Sequence, residues 1–233
     1  TPRPCNAAAP LTEVEDIYRP YKQKKKTRAS VAIERGLQPL AEFILAQDKN
    51  ADVKAETEKY IDEEKGVSNA DEAIAGAKDI IAEIVSDDAN VRKKLRNLFM
   101  KNGEVVTKLV NADKDEAKTY EMYADYSELV PEIKSHRVLA VNRGEKEGFL
   151  KVKVTFNDEI AKRIAGAGYL KDGGYATQLV KEAVEDGYER LIYPSIEREV
   201  RAELTDAASE QAIKMFEVNL KPLLMQPPVK DKV

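Results

Sequence analysis

The longest regular pattern of apolar residues lies near the carboxyl end and predicts a helix from about Pro194 to about Met225. In its first half, residues spaced by three and four positions fall on one side of a helix: Ile196, Val200, Leu204, Ala207, Ala208, Gln211 and Met215. In its second half, apolar residues spread to other sides: Ala212, Ile213, Phe216, Leu220 and Leu223. A helix that is apolar on several sides is normally covered on several sides. We therefore expect the first half to pack on this chain and the second half to be enclosed more completely, either by this chain or by something outside it.

Two prolines set the expected limits of this helix. Pro194 is predicted to open it, because a proline in the first turn loses only an N–H that has no helical partner. Pro222 removes one helical hydrogen bond and crowds the preceding turn. A kink or a stop is therefore expected near Asn219 to Lys221.

Most of the remaining pattern is also helical. Ser68 to Lys101 predicts a helical hairpin with Gly103 as its stop signal. A further helix is predicted from Pro131 to Asn142, ended by Asn142-Arg143-Gly144. Residues 157–190 predict another helical hairpin, similar to a helix-turn-helix, but its acidic second helix and long glycine-rich loop disfavour DNA reading.

One short strand stands out from these helices. Apolar and polar residues alternate from Phe149 to Phe156, which is typical of a strand with one buried face. Its partner is either the stretch from Val105 to Val110 or a segment outside this chain. The predicted fold is therefore mainly α, a multihelical array with a long C-terminal spine helix and a short β element near residues 149–156.

Composition fits one large or two small helix-rich domains. The chain has 233 residues, of which 42% are hydrophobic, 34% charged and 6% aromatic. Its net charge of −4 gives no general reason to bind nucleic acid or an anionic membrane. The single cysteine, Cys5, excludes an internal disulfide and fits the reducing cytoplasm. No apolar run is long enough to span a membrane, and residues 1–10 are expected to be a disordered lead-in or a cloning remnant.

Candidate catalytic and metal-binding chemistry is sparse. His136 is the only histidine, and no second residue stands at the spacing of a metal-ligand pair or a nucleophile motif. We interpret it as a structural histidine at a helix start. Gly166-Ala167-Gly168 lacks the third glycine of a nucleotide-binding loop. The sequence thus predicts a protein that is not an enzyme and holds no metal and no cofactor.

A basic cluster between residues 21 and 28 is the one positive signal for binding. Five of these eight residues are basic, in a chain that is acidic as a whole: Lys22, Lys24, Lys25, Lys26 and Arg28. Tyr18 and Tyr21 stand beside them, and cations next to aromatic rings can neutralise phosphates and stack on bases. The alternative is a solvated turn between two helices, with the tyrosines packed in the core. The five cations are our candidate nucleic-acid-binding residues.

Three stretches together resemble the bacterial transcription accessory protein Tex family. They read EDIYRPYK at residues 15–22, SHRVLAVNRGE at 135–145 and RLIYPSIERE at 190–199. Their order and spacing fit the N-terminal region of that family over about Leu11 to Val233. The resemblance implies a transcription factor that binds RNA or DNA, in which an RNase H-like domain, helix-hairpin-helix elements and an S1 domain follow this region.

With this resemblance, the chain divides into four expected parts. Residues 1–10 are the lead-in, 11–156 a helical region with a short strand, 157–190 the helical hairpin, and 191–228 the spine helix leading to a missing RNase H-like domain. The expected function is a non-catalytic scaffold of a cytoplasmic, Tex-like protein whose nucleic-acid binding resides mainly in domains absent here. Possible further partners are the transcription machinery and those missing domains. The alternative is a protein–protein adaptor that uses the apolar C-terminal helix.

Overall fold

The structure is a computed structural model that describes residues 11–22, 26–49, 52–111, 115–171 and 174–226. The predicted lead-in, residues 1–10, lies outside the described residues. The mainly helical fold and its small β element are confirmed. The described α-helices are α1 Leu11–Tyr18, α2 Arg28–Glu34, α3 Gln38–Ala46, α4 Val53–Glu58, α5 Ala70–Asp87, α6 Ala89–Asn102, α7 Ser135–Lys146, α8 Asp158–Gly166, α9 Tyr175–Gly187 and α10 Tyr193–Leu224. The strands are β1 Glu104–Leu109, β2 Asp125–Leu129 and β3 Leu150–Thr155.

The chain forms two compact units. Unit 1 comprises Thr1–Asn97 and Asn157–Ile196, and unit 2 comprises Leu98–Phe156 and Glu197–Val233. Helices α6 and α10 each contribute residues to both units.

Unit 1 is built around α5, which packs against α2, α3 and α9. Small residues allow the closest approach between α5 and α9. A Cβ added to Gly187 would lie only 2.9 Å from the backbone oxygen of Ala82. The buried side of α5 is correspondingly rich in alanine, with Ala73, Ala77 and Ala82 fully covered.

Unit 2 contains a three-stranded antiparallel sheet in the order β2-β1-β3. β3 pairs with β1 from Glu104↔Thr155 to Leu109↔Leu150, which confirms the first of the two strand partners that the sequence left open. Strand β2 was not predicted. Two carboxylates accept hydrogen bonds from the outward edge of β3: Val152 N–H donates to Glu145 Oε1 at 3.3 Å, and Val154 N–H donates to Glu197 Oε1 at 3.1 Å.

Helix α7 differs from its predicted bounds at both ends. It begins at Ser135 rather than at Pro131, and it runs through Gly144 to Lys146. Gly144 is not a stop signal here but a contact position. A Cβ at this residue would lie 2.6 Å from Leu150 Cδ1 and 2.9 Å from Tyr120 Cδ1. The glycine therefore lets β3 and the Tyr120 ring approach the helix.

The last helix, α10, begins at Tyr193, next to the predicted opening at Pro194, but no non-helical segment precedes it. Helical structure is unbroken from α9 through a π-helical turn at Tyr188–Ile192 into α10. In this turn Tyr193 N–H donates to the carbonyl of Tyr188, five residues earlier. Pro194 cannot donate to the carbonyl four residues before it and its ring needs room there. The wider π turn accommodates both constraints without ending the helix.

A kink or a stop was predicted near Asn219 to Lys221. The stop is wrong, because α10 continues through Pro222 to Leu224, and the kink stays a prediction. Of the side predicted to pack on this chain, Ile196, Val200 and Ala208 are buried as expected. Ala207, Gln211 and Met215, which were predicted on the same side, are exposed. The second half is not enclosed by the described residues, and its large apolar side chains are exposed: Ile213, Met215, Phe216, Val218, Leu223 and Leu224.

We predict that Gly187→Leu destabilises the protein. The leucine gains helix propensity of about 1 kcal/mol, but it must push α9 away from the backbone of α5. Overpacking of this kind typically costs about 1–3 kcal/mol or more, so the free energy of unfolding in urea should fall. Gly168→Ala is the control, because an added Cβ there meets nothing within 4 Å. Equal stability of the two variants would contradict the close approach.

Candidate nucleic-acid interface

The candidate segment begins at the end of α1 and leads into α2. A 3-10 turn at Arg19–Tyr21 follows α1 directly, with Pro20 inside it. Thr27 caps α2: its Oγ1 accepts from Ser30 N–H at 3.0 Å, and Ser30 Oγ accepts from Thr27 N–H at 2.8 Å. This reciprocal capping box fixes where α2 begins.

The structure separates the predicted cations that it describes. Lys22, Lys26 and Arg28 are all exposed, whereas Lys24 and Lys25 lie outside the described residues. Lys22 lines a cleft of about 560 Å³ together with Tyr18. Arg28 lines a different cleft, of about 400 Å³.

The cleft at Arg28 contains a carboxylate, Asp79, that interacts with cations of unit 1. Burial raises the pKa of the Asp79 carboxyl, which lies in this cleft, and the charges of Arg190 and Arg28 oppose that rise. Arg190 Nη2 donates to Asp79 Oδ1 at 2.9 Å. The charge of Arg28 therefore already acts on a carboxylate of its own cleft.

The cleft beside Tyr18 is mixed in charge. Glu15, Glu83 and Asp87 line it together with two cations. One of these cations, Arg19, donates from Nε to Asp87 Oδ1 at 3.2 Å. Three carboxylates make the interior of this cleft unfavourable for a phosphate group. Lys22, which lines the cleft, and Lys26 are both exposed to solvent.

The tyrosines of this segment are on the surface. Tyr18 is 59% exposed and Tyr21 is 79% exposed. The part of the alternative that packs these tyrosines in the core is therefore wrong, whereas the solvated turn stays the alternative to nucleic-acid binding.

A buried ionic network holds α1 in place, and sequence reasoning missed it. Asp16 Oδ1 accepts from Arg92 Nε at 2.6 Å, and Asp16 Oδ2 accepts from Arg96 Nη2 at 2.7 Å. The Arg92 side chain is completely buried, and Nη2 donates to Ser195 Oγ at 3.0 Å. The one local signal was that the apolar residues of α1 lie away from Asp16.

A second candidate surface lies in unit 2, where α7 begins beside the exposed half of α10. Here a groove of about 670 Å³ has apolar walls that include Leu139, Met215 and Phe216. His136 stands at this groove, and Ser135 Oγ is hydrogen-bonded to Gln211 Oε1. The histidine thus lies at the wall of a groove that has polar as well as apolar lining residues.

Comparison with known proteins assigns the chain to a family. Residues 48–216 match the family described as Tex central region-like. The chain belongs to the Tex family. The match covers more than half of the sequence and includes the sheet and most of α10, so the resemblance seen in the sequence is confirmed.

Tex relatives align along almost the whole chain. An uncharacterized protein, YdcI, of Bacillus subtilis is 45% identical over 232 residues, which is 99% of this chain and 32% of that protein. The transcriptional accessory protein Tex of Neisseria gonorrhoeae is 34% identical over 95% of this chain and 30% of its own length. A human S1 RNA-binding domain-containing protein 1 is 30% identical over 93% of this chain and 23% of its own length. The chain thus spans about a third or less of these relatives.

Among the described residues, no helix combines the length and the hydrophobicity that a membrane crossing requires. In the same ranges, no three His, Cys, Asp or Glu side chains are grouped so that they could hold a metal ion.

We predict that Asp16→Ala is strongly destabilising, because it leaves two arginines in the interior without their shared carboxylate. Breaking a buried ion pair from one side costs about 3–5 kcal/mol, which urea denaturation followed by circular dichroism can measure. Glu15→Ala is the matched control, since the neighbouring carboxylate is exposed and such changes stay within about 0.5 kcal/mol. If both variants unfold alike, Asp16 does not hold α1.

Proposed function

We propose that this chain is a non-catalytic helical scaffold within a Tex-family transcription accessory protein. In this proposal the protein acts in the cytoplasm and binds nucleic acid, mainly through parts that lie beyond this chain. The supporting relatives are those named for transcription and for an S1 RNA-binding domain. They are three to four times as long as the matched segment, which leaves room for such parts.

The observation that carries the scaffold proposal is the exposed second half of α10. Its large apolar side chains point to several sides and are more than half exposed, as at Phe216 with 66% and Leu224 with 74%. Isolated apolar residues are common on surfaces, but a contiguous set marks an interaction site. A helix exposed on several sides is best covered by several segments at once, which favours neighbouring domains of the same protein over a single flat contact.

The adaptor function is the second candidate. The groove at His136, between the start of α7 and Phe216, is open and lined by apolar walls. Such a groove suits an amphipathic helix of another protein. The two candidates use the same surface and differ in what covers it.

Cysteine labelling distinguishes these candidates. Single cysteines replace Ile213 or Leu223 in a Cys5→Ser background, in the isolated chain and at the matching positions of a full-length relative. The scaffold function predicts fast labelling in the isolated chain and about tenfold or slower labelling in the full-length protein, because further domains cover the helix. Ala202, which is exposed on the first half of α10, is the control position.

Fast labelling in the full-length protein as well, with protection only when a transcription extract is added, would support the adaptor function instead. Fast labelling under both conditions would contradict both candidates.

Direct nucleic-acid binding by the basic cluster is a separate part of the proposal. Lys22, Lys24, Lys25, Lys26 and Arg28 are changed together to alanine, and affinity for an oligonucleotide is measured by fluorescence anisotropy at several salt concentrations. Each phosphate contact adds about −0.7 to −0.9 to the slope of log affinity against log salt. The variant should therefore lose up to about four units of slope.

The matched control removes five exposed lysines elsewhere: Lys54, Lys94, Lys101, Lys146 and Lys221. It has the same net charge as the test variant. An equal loss in both variants would mean that only overall charge matters, and no loss in either would remove the cluster as a contact site.

A further inference from the structure

Helix α1 is oriented with a polar side inward and an apolar side outward. Its Asp16 is buried, whereas four large side chains on the other side are about half exposed or more. These are Val14 at 51%, Ile17 at 64%, Tyr18 at 59% and, in the following turn, Tyr21 at 79%. Their spacing of three, one and three positions places them together. We call this set the α1 face.

The buried network keeps the α1 face outward. Rotating α1 to bury its apolar side would withdraw the Asp16 carboxylate from Arg92 and Arg96. Both arginines would then remain in the interior without that carboxylate, a state that is strongly unfavourable. The ion pairs of Asp16 therefore fix the orientation of α1 within unit 1.

Charges around the α1 face restrict what can cover it. Lys22 directly follows Tyr21 and is exposed, and Lys26 is exposed beside Thr27, which lines the same cleft as Tyr18. The cleft beside Tyr18 instead carries Glu15, Glu83 and Asp87. A suitable ligand presents negative charge to the lysines and flat, uncharged groups to the tyrosines.

An unpaired nucleic-acid strand has this chemistry. Its phosphates carry the charge, and its bases are free to turn away from the backbone and stack on aromatic rings. In a duplex the bases stack on one another, so their faces are not available to a tyrosine. A double helix would also bring phosphates from a second strand towards the carboxylates of the cleft.

We propose that the α1 face binds single-stranded nucleic acid, with bases stacked on Tyr18 and Tyr21 and phosphates bound by Lys22 and Lys26. This inference rests on the nucleic-acid binding proposed above and adds a binding mode and a strand preference to it. Stacking does not involve counterion release, whereas phosphate binding does. The two kinds of contact can therefore be separated by salt.

The test uses the intact chain with three labelled probes: oligouridine, oligodeoxythymidine and a blunt DNA duplex, each of about 15 nucleotides. Affinity is measured by anisotropy between about 50 and 200 mM salt. Tyr18→Ala and Tyr21→Ala should each weaken binding of the single strands about 5- to 150-fold and leave the salt slope unchanged. Tyr→Phe at the same positions keeps the ring and should retain most of the affinity.

The lysine variants should give the opposite signature. Lys22→Gln and Lys26→Gln should each reduce the salt slope for the single strands by about 0.7. Tyr175→Ala is the control for removing an exposed tyrosine, since Tyr175 lies at the start of α9 and is 45% exposed. It should bind like the unchanged protein. Circular dichroism and the urea midpoint confirm that every variant is folded.

The outcomes separate this inference from the general function. Single-strand binding that the Tyr18 and Tyr21 variants leave unchanged would overturn the stacking mode while nucleic-acid binding itself remains. Equal loss of duplex binding in the tyrosine variants would overturn the strand preference. Failure of this chain to bind any probe removes the α1 face as a site, whereas the proposed function fails only if a full-length relative also binds none of them.

Discussion

The orientation of α1 in unit 1 depends on the buried carboxylate of Asp16. It joins α1 to two arginines of α6, and one of these arginines also reaches Ser195 near the start of α10. A single side chain thereby links three segments that are far apart in the sequence. A buried ion pair gives little net stability compared with apolar packing. The ion pairs of Asp16 instead determine which side of α1 faces the solvent.

The long helix depends on a different constraint. A proline inside a helix normally interrupts it, yet Pro194 and Pro222 both lie within continuous helical structure. At Pro194 the π turn accommodates the lack of a backbone N–H donor, and Ile192 and Ile196 on either side of the proline are buried. The two halves of α10 then differ in environment, with Val200 and Ala208 covered and Phe216 exposed.

The sequence was sufficient where the determining interactions are local. The alternation that marks β3 depends on neighbouring residues. Part of the first half of α10 was also predictable, since Ile196, Val200 and Ala208 recur at helical spacing and are buried. The Tex family could be identified because its motifs are contiguous stretches.

What could not be predicted depends on residues distant in sequence. Asp16 meets its arginines 76 and 80 positions later, so no local pattern reveals why α1 turns its apolar side outward. Gly144 resembles a stop signal until Leu150 and Tyr120 are seen against it. Strand β2 carries two acids in five residues and is held by β1. For the candidate site, the cations were visible in the sequence, but their division between two clefts was not.

The carboxylates of Glu145 and Glu197 have a consequence for assembly. They occupy backbone donors on the outer side of β3 that an incoming strand from another molecule would need. An incoming strand on that side would have to displace both carboxylates. Helices that carry acids can thus occupy the open edge of a small sheet as well as pack against its strands.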